Sequence, residues 1–288
     1  MGKGNHKYGL VLEGGAMRGL FSAGVMDVLM EHGITFDGII GVSAGACFGC
    51  NYKSDQPGRV IRYNKAYGRD PRYMGWRTLL RTGDLVGAEF AYHELPLKLD
   101  RFDIDTFERS PMEFVMVATD VDTGKPVYYD MRKVTYESLE WMRASASMPV
   151  VTKPVVVEDG RRMLDGGITD SIPLEYFQGR GYDRCLVILT QPRDYFKKPA
   201  PRWFFNLALR RYPAVARAMA VRHEMYNAQL RYVDREERAG RALVIAPDSP
   251  LGISRVESDP EKMELVYNYG RQIAEQRLEQ IRVFLDQP

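Results

Sequence analysis

The chain has 288 residues, 45% hydrophobic and 27% charged, with a formal net charge of +2, long enough to bury a large core as one α/β domain, alone or with an extension. The fractions are ordinary for a globular protein in water, the charge is too small to point to nucleic acid as a partner, and no stretch approaches the roughly 18 apolar residues of a membrane span. The opening MGKGNHK runs into an apolar stretch too short for a secretory signal, and His6 stands where a myristoylation signal has Ser or Thr, so the expected location is the cytoplasm.

In chain order, residues 8–12 form an apolar run that predicts a buried strand. Residues 18–32 follow with Leu20, Phe21, Val25, Val28 and Leu29 on a helical period and Gly33 at the stop. Residues 36–42 predict a second strand, and the segment after Ser43 a second helix. That helix holds Cys47 and Cys50 as C-x-x-C. With no second cysteine pair and four scattered histidines, the two are expected to serve packing rather than redox or metal chemistry. Residues 69–99, rich in aromatics and glycine, give no clear element. Residues 113–118 and 185–190 are further buried-strand candidates, residues 154–165 a hairpin turning at Asp159 and Gly160, and residues 135–146 a helix that stops before Pro149. Strands alternating with helices in this way predict a mostly parallel sheet with helical crossovers.

Past Thr190 the character changes. Residues 193–222 carry Arg193, Lys197, Lys198, Arg202, Arg210, Arg211, Arg217 and Arg222 against Asp194 alone, with Trp203, Phe204, Phe205 and Tyr212 interleaved. A basic, aromatic helix that packs its rings on the core and solvates its arginines is the expected reading. The alternative is peripheral contact with a membrane, rings at headgroup depth and cations toward anionic lipid. Residues 242–246 predict one more strand, and residues 259–285 a long amphipathic helix with Asp259 as N-cap and Pro260 at its first position.

The chemistry gathers at three glycine-rich points. GVSAG at residues 41–45 has the form of a nucleophile elbow, a sharp strand-to-helix turn that exposes a serine hydroxyl, with Gly41 and Gly45 where chain segments approach closely. EGGAMRG at residues 13–19 follows the first strand. If the two strands are parallel neighbours, both loops emerge at one sheet edge, and the Gly14 and Gly15 amides can face an oxyanion formed by attack of Ser43. Arg18 then adds charge to that hole or holds the loop. A serine nucleophile needs a base. Of the four histidines, His6 and His32 are expected at the surface; His93 and His223 are the triad candidates, though neither is flanked by the signals of a strand end. Asp165 in DGG, residues 165–167, ends a predicted strand and is followed by a helix signal, so it fits as a direct proton acceptor; a plain Asp-Gly turn is the competing reading.

Together, and in this order, EGGAMRG, GVSAG and DGG resemble the three signatures of the patatin-like phospholipase family, and RASASMPVV at residues 143–151 is similar to that family's block before the aspartate. The resemblance covers about residues 7–190. It implies a three-layer α/β/α fold, a Ser43–Asp165 dyad and hydrolysis of lipid acyl esters, with no metal or cofactor. It maps Gly14, Gly15, Arg18 and Gly19 onto the oxyanion loop and Gly166 and Gly167 onto the aspartate motif. The ending, residues 252–278, resembles the C-terminal extension of a bacterial subgroup. The expected division is therefore a catalytic domain over residues 1–192 and a largely helical extension over 193–288, packed on the core or continuous with it. Ala16 departs from the family pattern, which commonly has a third glycine there; it is expected at φ < 0, because a positive φ would strain it by about 1 kcal/mol.

A dinucleotide-binding module fits less well, since GGAMRG lacks the middle glycine of G-x-G-x-x-G and the second strand ends in Val42-Ser43 rather than an acidic residue. No Gly-Lys-Ser/Thr follows to make a P-loop. A non-lipid esterase, thioesterase or acyltransferase with the same dyad, and a catalytically silent lipid-binding protein, remain alternatives.

Overall fold

The computed structural model describes residues 6–75, 78–80 and 83–286; residues 1–5, where no leader signal is expected, lie outside it. The first strand, β1 (Lys7–Leu12), leads through a 3-10 turn (Ala16–Arg18) into α1 (Gly19–Glu31) and then β2 (Gly38–Val42). Helix α1 is buried on every side from Gly19 to Leu29. The elements that follow are α2 (Ala44–Lys53), α3 (Arg59–Tyr67), a π-helical stretch Phe90–Leu99 interrupted by Pro96, and α4 (Ile104–Arg109). Next come β3 (Glu113–Asp120), β4 (Pro126–Asp130) and α5 (Tyr136–Ser145), the last opened by a capping box between Thr135 and Ser138. The chain continues through β5 (Val155–Val156), β6 (Arg162–Asp165), α6 (Leu174–Gly179) and β7 (Tyr182–Ile188). It closes with α7 (Arg202–Ala208), α8 (Pro213–Arg238), β8 (Ala242–Ile245) and α9 (Pro260–Phe284), whose N-cap Asp259 accepts from the Glu261 amide.

Among the described residues eight strands form one sheet, in the order β5-β6-β3-β2-β1-β7-β8 with β4 on β3. Strands β1, β2, β3, β7 and β8 run parallel; β4, β5 and β6 are antiparallel to their neighbours. Side chains alternate between the two faces. Leu10, Leu12 and Ile39 join the helices α1, α2 and α9 on one side, while Val11, Ile40 and Val42 meet Leu174 and Phe177 of α6 and Tyr226 and Val233 of α8 on the other. This is the three-layer α/β/α sandwich. Residues past 192 belong to it: β8 extends the sheet beside β7, and α9 crosses α1 where a Cβ on Gly270 would stand 2.1 Å from the Phe21 carbonyl oxygen.

The region 193–222 corrects one expectation. It is not a single basic helix: the chain runs irregularly to Pro201, makes the short α7, turns at Tyr212 and starts α8 at Pro213. Pro199, Pro201 and Pro213 cannot donate to helix interiors and set these breaks. Among the described residues no helix is long and apolar enough to cross a membrane.

Candidate active site

Strand β3 is longer than β2, and that difference makes the site. On one edge of β3, β2 ends with Val42 beside Val117, and β6 arrives from the opposite direction to end with Asp165 beside Ala118. Two strands thus meet end to end, with Ser43 and Asp165 at the junction. Ser43 sits at φ 55, ψ −122, as N-cap of α2, a conformation that costs about 1–3 kcal/mol for a non-glycine residue. Its surroundings hold it there. A Cβ on Gly41 would lie 2.5 Å from the Gly45 oxygen, and one on Gly45 would lie 2.5 Å from the Leu12 oxygen, so the bend closes only with glycine at both points. The Ser43 amide donates to Ser145 Oγ at 3.0 Å, and that hydroxyl donates to the Val117 carbonyl at 2.7 Å. Ser145 lies in the RASAS run, whose sequence gives no sign of this bracing role.

Asp165 is 8% exposed. Its Oδ1 accepts from the Gly167 amide at 2.7 Å, its own amide donates to Ser147, and its carbonyl accepts from Thr119 Oγ1. Burial pushes its pKa above the ordinary carboxylate range, against the pull of a side-chain hydrogen bond from Ser43, the Gly167 amide, and the charges of Arg222 and Arg255. Gly166 packs against the Val117 carbonyl, where a Cβ would come within 2.2 Å.

The glycine loop is anchored from below by Glu13. Its Oε2 accepts from the Thr190 amide and its Oε1 from the Tyr226 hydroxyl, each at 2.6 Å, which ties the end of β1 to the chain past β7 and to α8. Above this anchor the Gly14 and Gly15 amides engage no acceptor among the described residues, and Gly14 lies against Ser43, where a Cβ would stand 3.0 Å from the serine Cβ. Ala16 corrects the second expectation: it takes φ 49, the left-handed region that a glycine would enter at no steric cost. The loop must turn here so that the amide of Arg18 reaches the Gly15 carbonyl at 3.1 Å and Gly19 can open α1 against Ala44 and Phe48. Arg18 Nε is buried without a hydrogen-bond partner.

A model described as "Patatin-like phospholipase" matches residues 10–177, and one described as "Domain of unknown function (DUF6363)" matches residues 212–286. The chain belongs to the patatin-like phospholipase family. It is 29% identical over 281 residues to the uncharacterized protein YjjU of Escherichia coli strain K12, covering 91% of this chain and 74% of YjjU. It is 31% identical over 189 residues to the lysophospholipase nte1 of Aspergillus fumigatus, covering 62% of this chain and 12% of that protein. Among solved structures, VipD from Legionella pneumophila overlays 96% of this chain and 67% of its own at a TM-score of 0.48 and 13% identity.

In this member of the family two cavities open to solvent meet at Ser43, sharing Ala16, Leu85, Met148 and Arg255 in their linings. The first, about 1110 Å³, is walled by Phe48, Tyr63, Tyr73, Leu95, Phe102 and Met142. The second, about 1230 Å³, holds Asp165, the glycine loop and four cations, Arg18, Lys197, Arg222 and Arg255. None of the four histidines lines either cavity. His93 is buried against Glu140 at 3.0 Å and stacked on Tyr136, and His223 lies 3.7 Å from Glu224. Cys47 and Cys50 are free thiols, Cys50 Sγ donating to the Cys47 carbonyl, and burial pushes the Cys50 thiol up to about 12. Among the described residues no group of three His, Cys, Asp or Glu is placed to hold a metal ion.

Proposed function

We propose that the protein is a serine lipid acyl hydrolase that cleaves carboxylic esters through a Ser43–Asp165 dyad. The observation that carries this reading is Ser43 itself, held at a strained bend beside a buried carboxylate and opening onto an apolar cavity able to take an acyl chain. As Ser43 Oγ bonds to the ester carbon, its proton passes to Asp165. The oxyanion forms beside the Gly14 and Gly15 amides, with Arg18 at one turn's distance. The bond from carbon to the alcohol oxygen then breaks, and protonated Asp165 donates to the leaving alcohol. Water attacks the acyl-enzyme while giving a proton to Asp165; collapse releases the fatty acid and returns the proton to Ser43. A carboxylate is a weak base in water, and the raised pKa of Asp165 brings it closer to the operating pH.

A fluorophosphonate probe is expected to label Ser43, and Ser43→Ala is expected to lose both labelling and hydrolysis of p-nitrophenyl and glycerolipid esters while keeping its melting temperature. Turnover retained in Ser43→Ala overturns the assignment.

The same reading includes peripheral contact with a lipid surface. On α7, Trp203 and Leu207 are 68% and 66% exposed, and Phe196 before it is 64% exposed, beside Arg202, Arg210 and Arg211. Large apolar side chains left in water among cations suit an anionic interface. Co-sedimentation with anionic vesicles is expected to drop on Trp203→Ala with Leu207→Ala; sedimentation unchanged in the pair removes this role.

A further inference from the structure

Three of the four cations in the second cavity lie outside the segment matched to the family: Lys197 past β7, Arg222 on α8 and Arg255 in the loop before α9. Arg222 and Arg255 fall within the segment whose family model carries no function. They come back to the catalytic edge because α8 packs across it. Arg222 donates through Nε to the Gly167 carbonyl and through Nη2 to Ser171 Oγ at 3.3 Å. Its Nη1 has no partner among the described residues, although a guanidinium carries five donors.

Among the described residues none of the four cations pairs with a carboxylate, whereas Arg193 and Arg241, outside the cavity, are paired with Glu237 and Glu236. The two carboxylates in the cavity lining are already engaged. Glu13 is taken up by Thr190 and Tyr226, and Asp165 by Gly167 beside Ser43. A cationic headgroup nitrogen would therefore find no free carboxylate here. It would find no open aromatic face either, since the ring of Tyr226 has Lys197 Nζ 4.8 Å from its centroid.

We propose that this cavity is a subsite for a phosphate-bearing anion, the headgroup of a lipid whose acyl carbonyl lies at Ser43, and that the C-terminal segment makes the protein prefer net-negative headgroups over zwitterionic ones. The assignment deepens the hydrolase reading and rests on it. The continuity of the two cavities at Ser43 supplies the geometry: an acyl chain on one side, a headgroup on the other, and the ester between them. The field of the cluster is visible in Lys197, whose pKa is lowered to about 8 by burial and by Arg222, Arg255 and Arg18, with Glu13 opposing. A phosphate would relieve that mutual repulsion and accept charge-assisted hydrogen bonds.

The test compares three substrates with the same acyl chain in the same neutral-detergent micelles: a lysophosphatidic acid, a lysophosphatidylcholine and a monoacylglycerol. The full chain is expected to show the highest kcat/KM on the lysophosphatidic acid. In Lys197→Met/Arg255→Gln the ratio of lysophosphatidic acid to monoacylglycerol is expected to fall about tenfold or more, the loss of one or two charge-assisted contacts. The single variant Arg255→Gln, at an exposed position, is expected to fall in the same direction, which covers a folding failure of the pair. Lysophosphatidylcholine turned over as well as lysophosphatidic acid, or a ratio unmoved in both variants, overturns the subsite.

Binding separates this outcome from failure of the hydrolase reading. If the full chain turns over none of the three esters, hydrolysis fails, yet titration of lysophosphatidic acid into Ser43→Ala still reports the subsite: about tenfold weaker binding in the presence of Lys197→Met/Arg255→Gln supports it, and equal binding overturns it. Glycerol 3-phosphate, titrated alongside, distinguishes the sources of phosphate. Binding far weaker than the lipid supports a headgroup; binding as tight as the lipid overturns the headgroup assignment in favour of a soluble phosphate ester.

Discussion

The two cavities that meet at Ser43 are built on opposite principles. Apart from Arg255, shared at the junction, the apolar one has Arg59, which is neutralised where it stands: Asp100 pairs with it at 3.1 Å, Asn51 accepts from it at 2.7 Å, and the rings of Tyr63 and Phe102 flank it. In the cationic one, four positive groups are left without carboxylate partners. Arg18, Lys197 and Arg222 are half-buried, and a charge drawn partly out of water without a partner is costly, so the second arrangement makes sense when the partner arrives with the substrate. The contrast teaches that charge count alone, nearly balanced over the whole chain at +2, says little about where a field has been concentrated.

The largest test of the comparison removes the base proposed to serve substrates of both cavities. Asp165→Asn keeps the shape of the carboxylate and its acceptor oxygen toward the Gly167 amide but cannot take a proton. Loss of about 10⁴-fold in kcat is expected on anionic and neutral esters alike, the scale seen when a member of a catalytic unit is removed. A loss confined to one substrate class would show that the two cavities do not serve one reaction. The unsubstituted enzyme carries a companion signature. Because the Asp165 pKa is raised and the proposed dyad needs the carboxylate form, kcat/KM on a neutral ester is expected to fall on acidification from an inflection above the ordinary carboxylate range. An acid limb at the ordinary value places the working base elsewhere.

How the sequence relates to this arrangement differs between the two walls. The glycine loop, the elbow and the aspartate motif are local patterns, each legible because a tight turn demands small residues at fixed spacing. The parallel pairing of β1 and β2 follows from the short crossover between them. What the sequence does not display is the length of β3 relative to β2, which places Asp165 end to end with Ser43 and is a matter of long-range register. The strand β4 is equally silent; its PVYYD run has no clean alternation and its burial is intermediate. The apolar wall comes from residues 48–142, including a π-helical stretch with a proline inside it that obeys no 3.6-residue period. The excess of arginine past residue 192 is plain in the composition. Yet Lys197, Arg222 and Arg255 are brought together only by the path of α8 and by the loop before α9. Ala16 is a case where a sound local rule yields: the turn that brings the Arg18 amide to the Gly15 carbonyl and opens α1 at Gly19 outweighs about 1 kcal/mol of backbone strain.

A middle-sized effect sharpens the apolar side. Met142 is 7% exposed on α5 and lines that cavity alone. Met142→Trp is expected to shorten the acyl chain preferred in a series of p-nitrophenyl esters, since each methylene excluded from an apolar site forgoes about 0.8 kcal/mol, roughly fourfold in kcat/KM. The melting temperature is the control, because overpacking alone costs about 1–3 kcal/mol. A uniform loss across all chain lengths would mean that the acyl group lies elsewhere.

The smallest effect separates the cavities by pH. Lys197 has its pKa lowered to about 8 in the free protein, so its charge is present at pH 7 and is lost as pH rises through 8, within reach of assay. The other three cations of that cavity are arginines, a side-chain type whose ordinary pKa lies far above this interval. The apolar cavity offers no counterpart: burial lifts the Tyr63 and Tyr73 hydroxyls above their usual range, so they remain neutral. The ratio of kcat/KM for a lysophosphatidic acid to that for a monoacylglycerol is therefore expected to fall about threefold between pH 7 and 9, one charge of four being lost in a partly solvated site. Taking the ratio cancels titration of the dyad, which acts on both substrates. Lys197→Met is expected to flatten the ratio across the same interval. A ratio that falls equally in that variant would assign the titration to another group and leave Lys197 a bystander in the cationic cavity.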